Sequence, residues 1–397
     1  MIGKRRLAAL CLALFLPLCS IPTLAQEVEE EEGLPAAVSL DALPAKSAIL
    51  VEQSTGKVLF EKDADVQMAP ASVTKVMSLL LVMEALDAGQ IHLDDMVTCS
   101  EHASSMGGTQ IWLEVGEQMS VEDLLKATCV VSANDATVAL GEYLAGSEEG
   151  FVQRMNQRAQ ELGMTNTHFV NATGLDAEGH LTTARDISIM SRELMKHKDI
   201  TKYTTIWMGS LRGGKNELVN TNKLVRFYEG ATGLKTGTTD SAGSCLSATA
   251  TRDSLSLVAV VMGCATSNDR FASARALLDT GFANYTSVTL PSIEDQLTPV
   301  PVAGGLDNWV QPTYTLPETL VVEKEAAKNL QQTVTLSTGV TAPVEQGQTL
   351  GEVTVTLGEE VIYTYPIVAA QAVEKMDFFS ALKGLIHSVV CMEQKTG

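Results

Sequence analysis

Histidine is scarce in this sequence: six residues among 397, scattered along the chain. A metal centre built on imidazole ligands therefore has little support. Positive charge is also short. Against 48 aspartates and glutamates stand 28 lysines and arginines, a net charge of −20. Binding to phosphates needs a basic surface, so nucleic acid is excluded as a partner. Part of the acidity is one block, Glu27 to Glu32, which reads as a solvated linker. No apolar run is a comfortable membrane span. The N-terminal run Leu7–Leu18 is too short for one. It follows Lys4, Arg5 and Arg6 and precedes Pro22-Thr23-Leu24-Ala25, so residues 1–25 read as an export signal cleaved after Ala25. Cys19 lacks the small residues that should precede a lipidated cysteine. Removal of the signal leaves Cys99, Cys129, Cys245, Cys264 and Cys391, an odd number without tight spacing, which does not imply a disulfide framework. Cys129 and Cys245 sit in apolar runs and read as small core residues.

What is present is enough apolar side chain, 45%, for a sizeable core, over a length that favours two domains. After the linker, residues 26–45, two apolar stretches flank Ser54-Thr55-Gly56-Lys57 and predict a β-hairpin. Pro70 precedes a long apolar run through Leu86 that stops at Gly89, the punctuation of a buried helix. A helical stretch spans about Ser120 to His197. Ser244–Thr251 and Leu255–Met262 predict a second hairpin around Arg252-Asp253-Ser254, and Asn268–Tyr285 an amphipathic helix. This order predicts an α/β (α+β) domain over residues 46–286, a sheet with helices on its faces and an inserted helical lobe. Residues 287–370 are rich in Val, Thr, Pro and Gly, alternate as in Glu352–Leu357, and predict a smaller all-β domain without a catalytic cluster. In residues 371–397, Phe378, Leu382, Leu385 and Val389 recur at helical spacing, widened by Phe379, Ile386 and Val390. The stripe is too short and polar to span a bilayer and predicts a helix lying in the membrane surface.

Three short motifs carry the chemistry. Ser72-Val73-Thr74-Lys75 is S-x-x-K, Ser132-Ala133-Asn134 is S-x-N, and Lys235-Thr236-Gly237 is K-T-G. Each alone is weak: S-x-x-K recurs at Ser54–Lys57 and Ser380–Lys383, and K-T-G at Lys395–Gly397. Ser54 reads as a turn residue and the terminal K-T-G as a frayed tail. Context favours Ser72, which starts a buried helix with Lys75 three residues on and on the same face. A serine hydroxyl needs a base, and lysine serves as one only when burial or a second cation, here Lys235, lowers its pKa. Ser132 is placed to relay a proton. Asn134 either holds a substrate peptide group or orients Lys75, and the plainer alternative for the pair is a helix cap. A lysine and hydroxyl beside a glycine suit a carboxylate, and the backbone N–H groups of Ser72 and Thr238 can form an oxyanion hole.

Together these motifs, with Gly179-His180, Thr183-Ala184-Arg185-Asp186, Thr221-Asn222-Lys223-Leu224 and Ala242–Leu246 around them, resemble those of the D-alanyl-D-alanine carboxypeptidases, low-molecular-mass penicillin-binding proteins. The resemblance is strong over about Ala45 to Tyr285 and looser over the β domain, where Ala342–Gln348 matches. It implies a β-lactamase/transpeptidase-like fold, catalytic roles for Ser72, Lys75 and Ser132, and substrate contacts from Asn134, Lys235, Thr236, Gly237 and Thr238. It implies no metal or organic cofactor, peptidoglycan stem peptides ending in D-Ala-D-Ala as substrate, β-lactams as covalent inhibitors, and an exported enzyme held at the membrane surface. Endopeptidases of the same fold share the motifs. A class A β-lactamase would add E-x-x-L-N between Asn134 and Lys235, and none is there. Many relatives hold the substrate carboxylate with an arginine just before the strand that follows the K-T-G hairpin. Here Ser256 takes that place; Lys235, Thr236 or Thr238 can then suffice for the carboxylate, or Arg252 can substitute.

Overall fold

The structure is a computed structural model and describes residues 33–315, 319–380 and 382. The expected export signal and most of the C-terminal stripe lie outside the described residues. Phe378, Phe379 and Leu382 lie within them and are exposed.

One five-stranded antiparallel sheet organises the larger domain. Its strands are β1 (Ser47–Glu52), β2 (Val58–Lys62), β3 (Ala231–Thr239), β4 (Gly243–Arg252) and β5 (Leu255–Cys264), in the order β2-β1-β5-β4-β3. Both predicted hairpins are present, β1–β2 around Ser54–Lys57 and β4–β5 around Asp253 and Ser254. The decoy serine is a turn residue: Ser54 Oγ donates to the Glu52 carboxylate. Alternation sends successive residues to opposite faces. Ile49, Val51, Val258 and Val260 pack toward the helical lobe, while Leu50, Leu257, Ala259 and Val261 pack toward a single long helix.

The lobe comprises α1 (Lys75–Asp87), α2 (Val121–Val130), α3 (Asn134–Ala145), α4 (Glu148–Glu161) and α5 (Ala184–Leu194). Nine of the thirteen residues of α1 are buried, which explains its continuous hydrophobicity. The run does not begin as an α-helix: Ala71–Thr74 form a 3₁₀ turn, and Ala71 has φ 49°. The long helix, α6 (Ser267–Asn284), covers the other face and begins in a capping box between Thr266 and Asp269.

The C-terminal part is built of strands, as predicted. A three-stranded sheet joins Val300–Ala303, Trp309–Val310 and Val340–Thr341. A four-stranded one joins Pro312–Tyr314, Leu330–Leu336, Thr349–Leu357 and Glu360–Ala369. Val353, Val355 and Ile367 fill a core of their own while Glu352 points to solvent. Among the described residues no helix is long and apolar enough to cross a membrane. The four cysteines described, Cys99, Cys129, Cys245 and Cys264, are buried and unpaired.

Candidate active site

The three motifs converge where α1, the α2–α3 junction and β3 meet. Ser72 lies in the 3₁₀ turn, so its side chain comes off the start of α1 beside Lys75. Lys75 is completely buried. Its Nζ lies 3.0 Å from Ser72 Oγ and donates to Asn134 Oδ1 at 2.6 Å and the Thr173 carbonyl at 2.8 Å. Burial, first, and the nearby Lys235 charge, second, hold its pKa well below the ordinary lysine value, against an opposing pull from Asp135. A neutral amine has two N–H bonds and one lone pair. With Asn134 Oδ1 and the Thr173 carbonyl occupying the two N–H bonds, the lone pair faces the Ser72 hydroxyl.

Ser132 sits between α2 and α3 at φ 67°, in the left-handed region. Its Oγ is buried and has no hydrogen-bond partner. The helix-cap reading does not hold: Ala133 is the N-cap of α3 and no side chain caps it. Asn134 Oδ1 accepts the Lys75 ammonium or amine. Its other amide end is spent as well, with Nδ2 donating to the Gly107 carbonyl at 2.7 Å. The next residue, Asp135, is buried and accepts the backbone N–H groups of Ile111, Leu113 and Ala136, which pins the 107–113 segment against α3.

β3 forms the other wall. Lys235 is buried and its Nζ donates to the Thr236 carbonyl at 2.9 Å. Burial pushes its pKa down to about 7. Thr236 Oγ1 shares a hydrogen bond with Thr221 Oγ1 at 2.7 Å. At Gly237 a Cβ would lie 2.8 Å from the Ser72 nitrogen and 2.9 Å from that of Val73. Only glycine lets the strand lie this close to the turn that carries Ser72. Thr238 follows, exposed at the strand's end.

Neither Ser256 nor Arg252 reaches the site. Ser256 pairs with Thr251 and shares a hydrogen bond with its hydroxyl. Lys235 is level with Ser247 and Val260, four residues away along β5, roughly 13 Å. Arg252 is also turned away: its Nε donates to the Glu229 carbonyl, and its guanidinium lies over Tyr228 and Phe282. A further cation at the site is Arg270, in the first turn of α6. Its Nη1 donates to Thr238 Oγ1 at 2.8 Å and to the Gly237 carbonyl at 3.2 Å. It is 8% exposed. Burial lowers its pKa, and its Nε has no partner. Among the described residues no carboxylate forms an ion pair with it. A buried guanidinium without an anion is costly to keep, and this one lies beside the open end of β3. No local motif marks Arg270 in the sequence; the capping residues Thr266 and Asp269 are the only signal nearby.

A serine beside a buried lysine, with a second lysine on a neighbouring strand, is the arrangement of the serine acyl-transfer enzymes of the penicillin-interacting class. The family model described as D-alanyl-D-alanine carboxypeptidase matches residues 35–266, and that of the penicillin-binding protein 5 C-terminal domain matches residues 285–375. The D-alanyl-D-alanine carboxypeptidase DacF of Bacillus subtilis is 41% identical over 343 residues, 85% of this chain and 88% of that protein. Penicillin-binding protein 5 of Haemophilus influenzae superimposes with a TM-score of 0.77 at 30% identity, over 85% of this chain and 100% of the other. A penicillin-binding protein of Listeria monocytogenes, solved with ampicillin bound, matches with a TM-score of 0.56 at 32% identity, over 61% of this chain and 98% of its own. The chain belongs to the D-alanyl-D-alanine carboxypeptidase family, serine hydrolases that act on peptidoglycan peptides ending in D-Ala-D-Ala and bind β-lactams.

Proposed function

We propose that this enzyme removes the terminal D-alanine of stem peptides through an acyl-enzyme on Ser72, with Lys75 as the base. The observation that carries the reading is the complete burial of Lys75 with Ser72 Oγ at 3.0 Å. The Ser72 hydroxyl gives its proton to Lys75 Nζ as Oγ attacks the carbonyl carbon of the penultimate D-alanine. The backbone N–H groups of Ser72 and Thr238 receive the negative charge on the carbonyl oxygen. The C–N bond then breaks. Ser132, whose hydroxyl has no other partner, passes a proton from the lysines to the leaving amine. Arg270 and Thr238 hold the carboxylate of the departing D-alanine, and Thr236 lines its path. Water, activated by the same base, hydrolyses the ester and returns the proton to Ser72. A β-lactam acylates the same oxygen, but its leaving amine stays tethered.

We assign residues 46–286 to the catalytic domain and 287–370 to the β domain, preceded by the export signal over 1–25 and the linker over 26–45. Residues 371–397 act as a membrane-surface anchor, which the exposed Phe378 and Phe379 support. The enzyme then works outside the cytoplasm, at the outer face of the membrane. The test is mass spectrometry of tryptic peptides after penicillin treatment. An adduct on the Ser72 peptide is expected, and a Ser72→Ala protein that is still labelled would overturn the assignment.

A further inference from the structure

The turn that carries Ser72 is held in an uncommon conformation. Ala71 has φ 49°, a left-handed value that is unfavourable for a non-glycine residue. Such a conformation persists only when its surroundings determine it, and two groups do so here. A Cβ on Gly174 would collide with the Ala71 carbonyl oxygen, so the 173–174 segment lies directly against that peptide. The same carbonyl accepts the Thr74 hydroxyl proton at 2.9 Å.

Behind Thr74 stands His180, buried in the core of the lobe. Its Nε2 is 2.8 Å from Thr74 Oγ1, and its Nδ1 is 3.0 Å from the backbone nitrogen of Val170. These contacts determine the tautomer. Val170 N–H is a donor, so Nδ1 is the acceptor and carries no proton. Nε2 therefore carries one. Because the Thr74 proton is already on the Ala71 carbonyl, Thr74 Oγ1 has only lone pairs to offer Nε2–H. The chain runs one way, from Val170 N–H to His180 to Thr74 to the Ala71 carbonyl. Burial pushes the imidazole's pKa down to about 4, with His168 acting in the same direction and Asp176 against it, so the ring is neutral at working pH. The Phe169 ring meets it edge-on at 5.8 Å.

We infer that His180 is a positioning residue for acylation, acting through Thr74 to fix the Ala71 peptide and so the aim of Ser72 Oγ and its backbone N–H. The inference rests on Ser72 being the nucleophile. His180 does not touch substrate. Its part is to supply a hydrogen-bond donor at one point, 2.8 Å from a hydroxyl that would otherwise be free to release the turn.

The experiment uses two substitutions that split the ring's two contacts. His180→Asn places an acceptor where Nδ1 was and has no group that reaches Thr74. His180→Gln places an N–H donor where Nε2 was. The rate constant for acylation by benzylpenicillin should fall roughly 10- to 100-fold in the Asn variant, and stay within about threefold of wild type in the Gln variant, since small displacements of reacting groups are that costly. Thermal midpoints should not follow this split. Thr74→Val and Thr74→Ser repeat the test from the other partner: Val should be slow and Ser fast. Equal acylation rates for Asn and Gln, or for Val and Ser, would overturn the positioning role and leave the contact as mere packing. Mass spectrometry of the wild-type adduct keeps the two readings apart. An adduct away from Ser72 refutes the nucleophile, whereas equal variants with the adduct on Ser72 refute only His180.

Discussion

Arg270→Met removes the guanidinium but retains much of its aliphatic volume. In the native enzyme Nη1 spans the Gly237 carbonyl and Thr238 Oγ1, and no carboxylate partner is present to offset the buried charge. A substrate carboxylate arriving there gains a charge-assisted hydrogen bond, worth about 1.5–3 kcal/mol. At 1.36 kcal/mol per decade this is roughly a 10- to 150-fold loss in kcat/KM for the variant. Part of any loss would come from slackening β3, since Arg270 also holds the end of that strand. The assay must therefore separate charge from position. An acyl-D-Ala-D-Ala peptide with a free C-terminal carboxylate is compared with the same peptide capped as its amide. Loosening of the strand lowers both rates together, whereas loss of charge recognition lowers only the acid. We expect wild type to prefer the acid strongly and Arg270→Met to lose most of that preference. A variant whose acid-to-amide ratio stays within about threefold of wild type would refute the argument and place carboxylate recognition elsewhere.

Four further outcomes are expected. Lys75→Arg should lose most acylation, on the order of 10² to 10⁴, because a guanidinium stays protonated; penicillin acylation within about threefold of wild type would mean another base acts. Lys235→Met should be inactive yet more stable at pH 7. Its folded pKa of about 7 lies below the unfolded 10.5, so between those values the unfolded state holds more protons, and this term adds stability as pH rises from 7 toward 10.5; the gain between pH 7 and 9.5 is about 3 kcal/mol, readable by urea denaturation at those two pH values. Gly237→Ala should slow acylation and lower the thermal midpoint, because its Cβ would press on the backbone nitrogens of Ser72 and Val73; an unchanged acylation rate would show that the strand yields freely. Truncation after Glu374 should reduce binding to anionic vesicles and spare hydrolysis of a soluble peptide; loss of stability in a protein that never bound vesicles would make the segment structural.

The sequence by itself determined the parts of this protein that local patterns encode. Both hairpins follow from apolar runs broken by turn residues, and the burial of α1 from an apolar face that never turns polar. The Ser72–Lys75 pair is legible because the two residues are one helical turn apart, a spacing that local geometry converts into contact. Other relations needed the tertiary structure. Asn134 can hold substrate or lysine by its chemistry, and only the packing of α3 against α1 spends its amide on Lys75. Ser256 takes the expected place of the arginine in sequence, but antiparallel register carries it four residues from the level of Lys235, while Arg270, 35 positions after Lys235 in the chain, reaches Thr238 because α6 starts where β5 ends. His180 and Thr74 are 106 residues apart, and no period or motif joins them. Side-chain periodicity reports which face is buried. Which polar atom a buried side chain meets depends on how distant segments pack, and that is set only when the whole core closes.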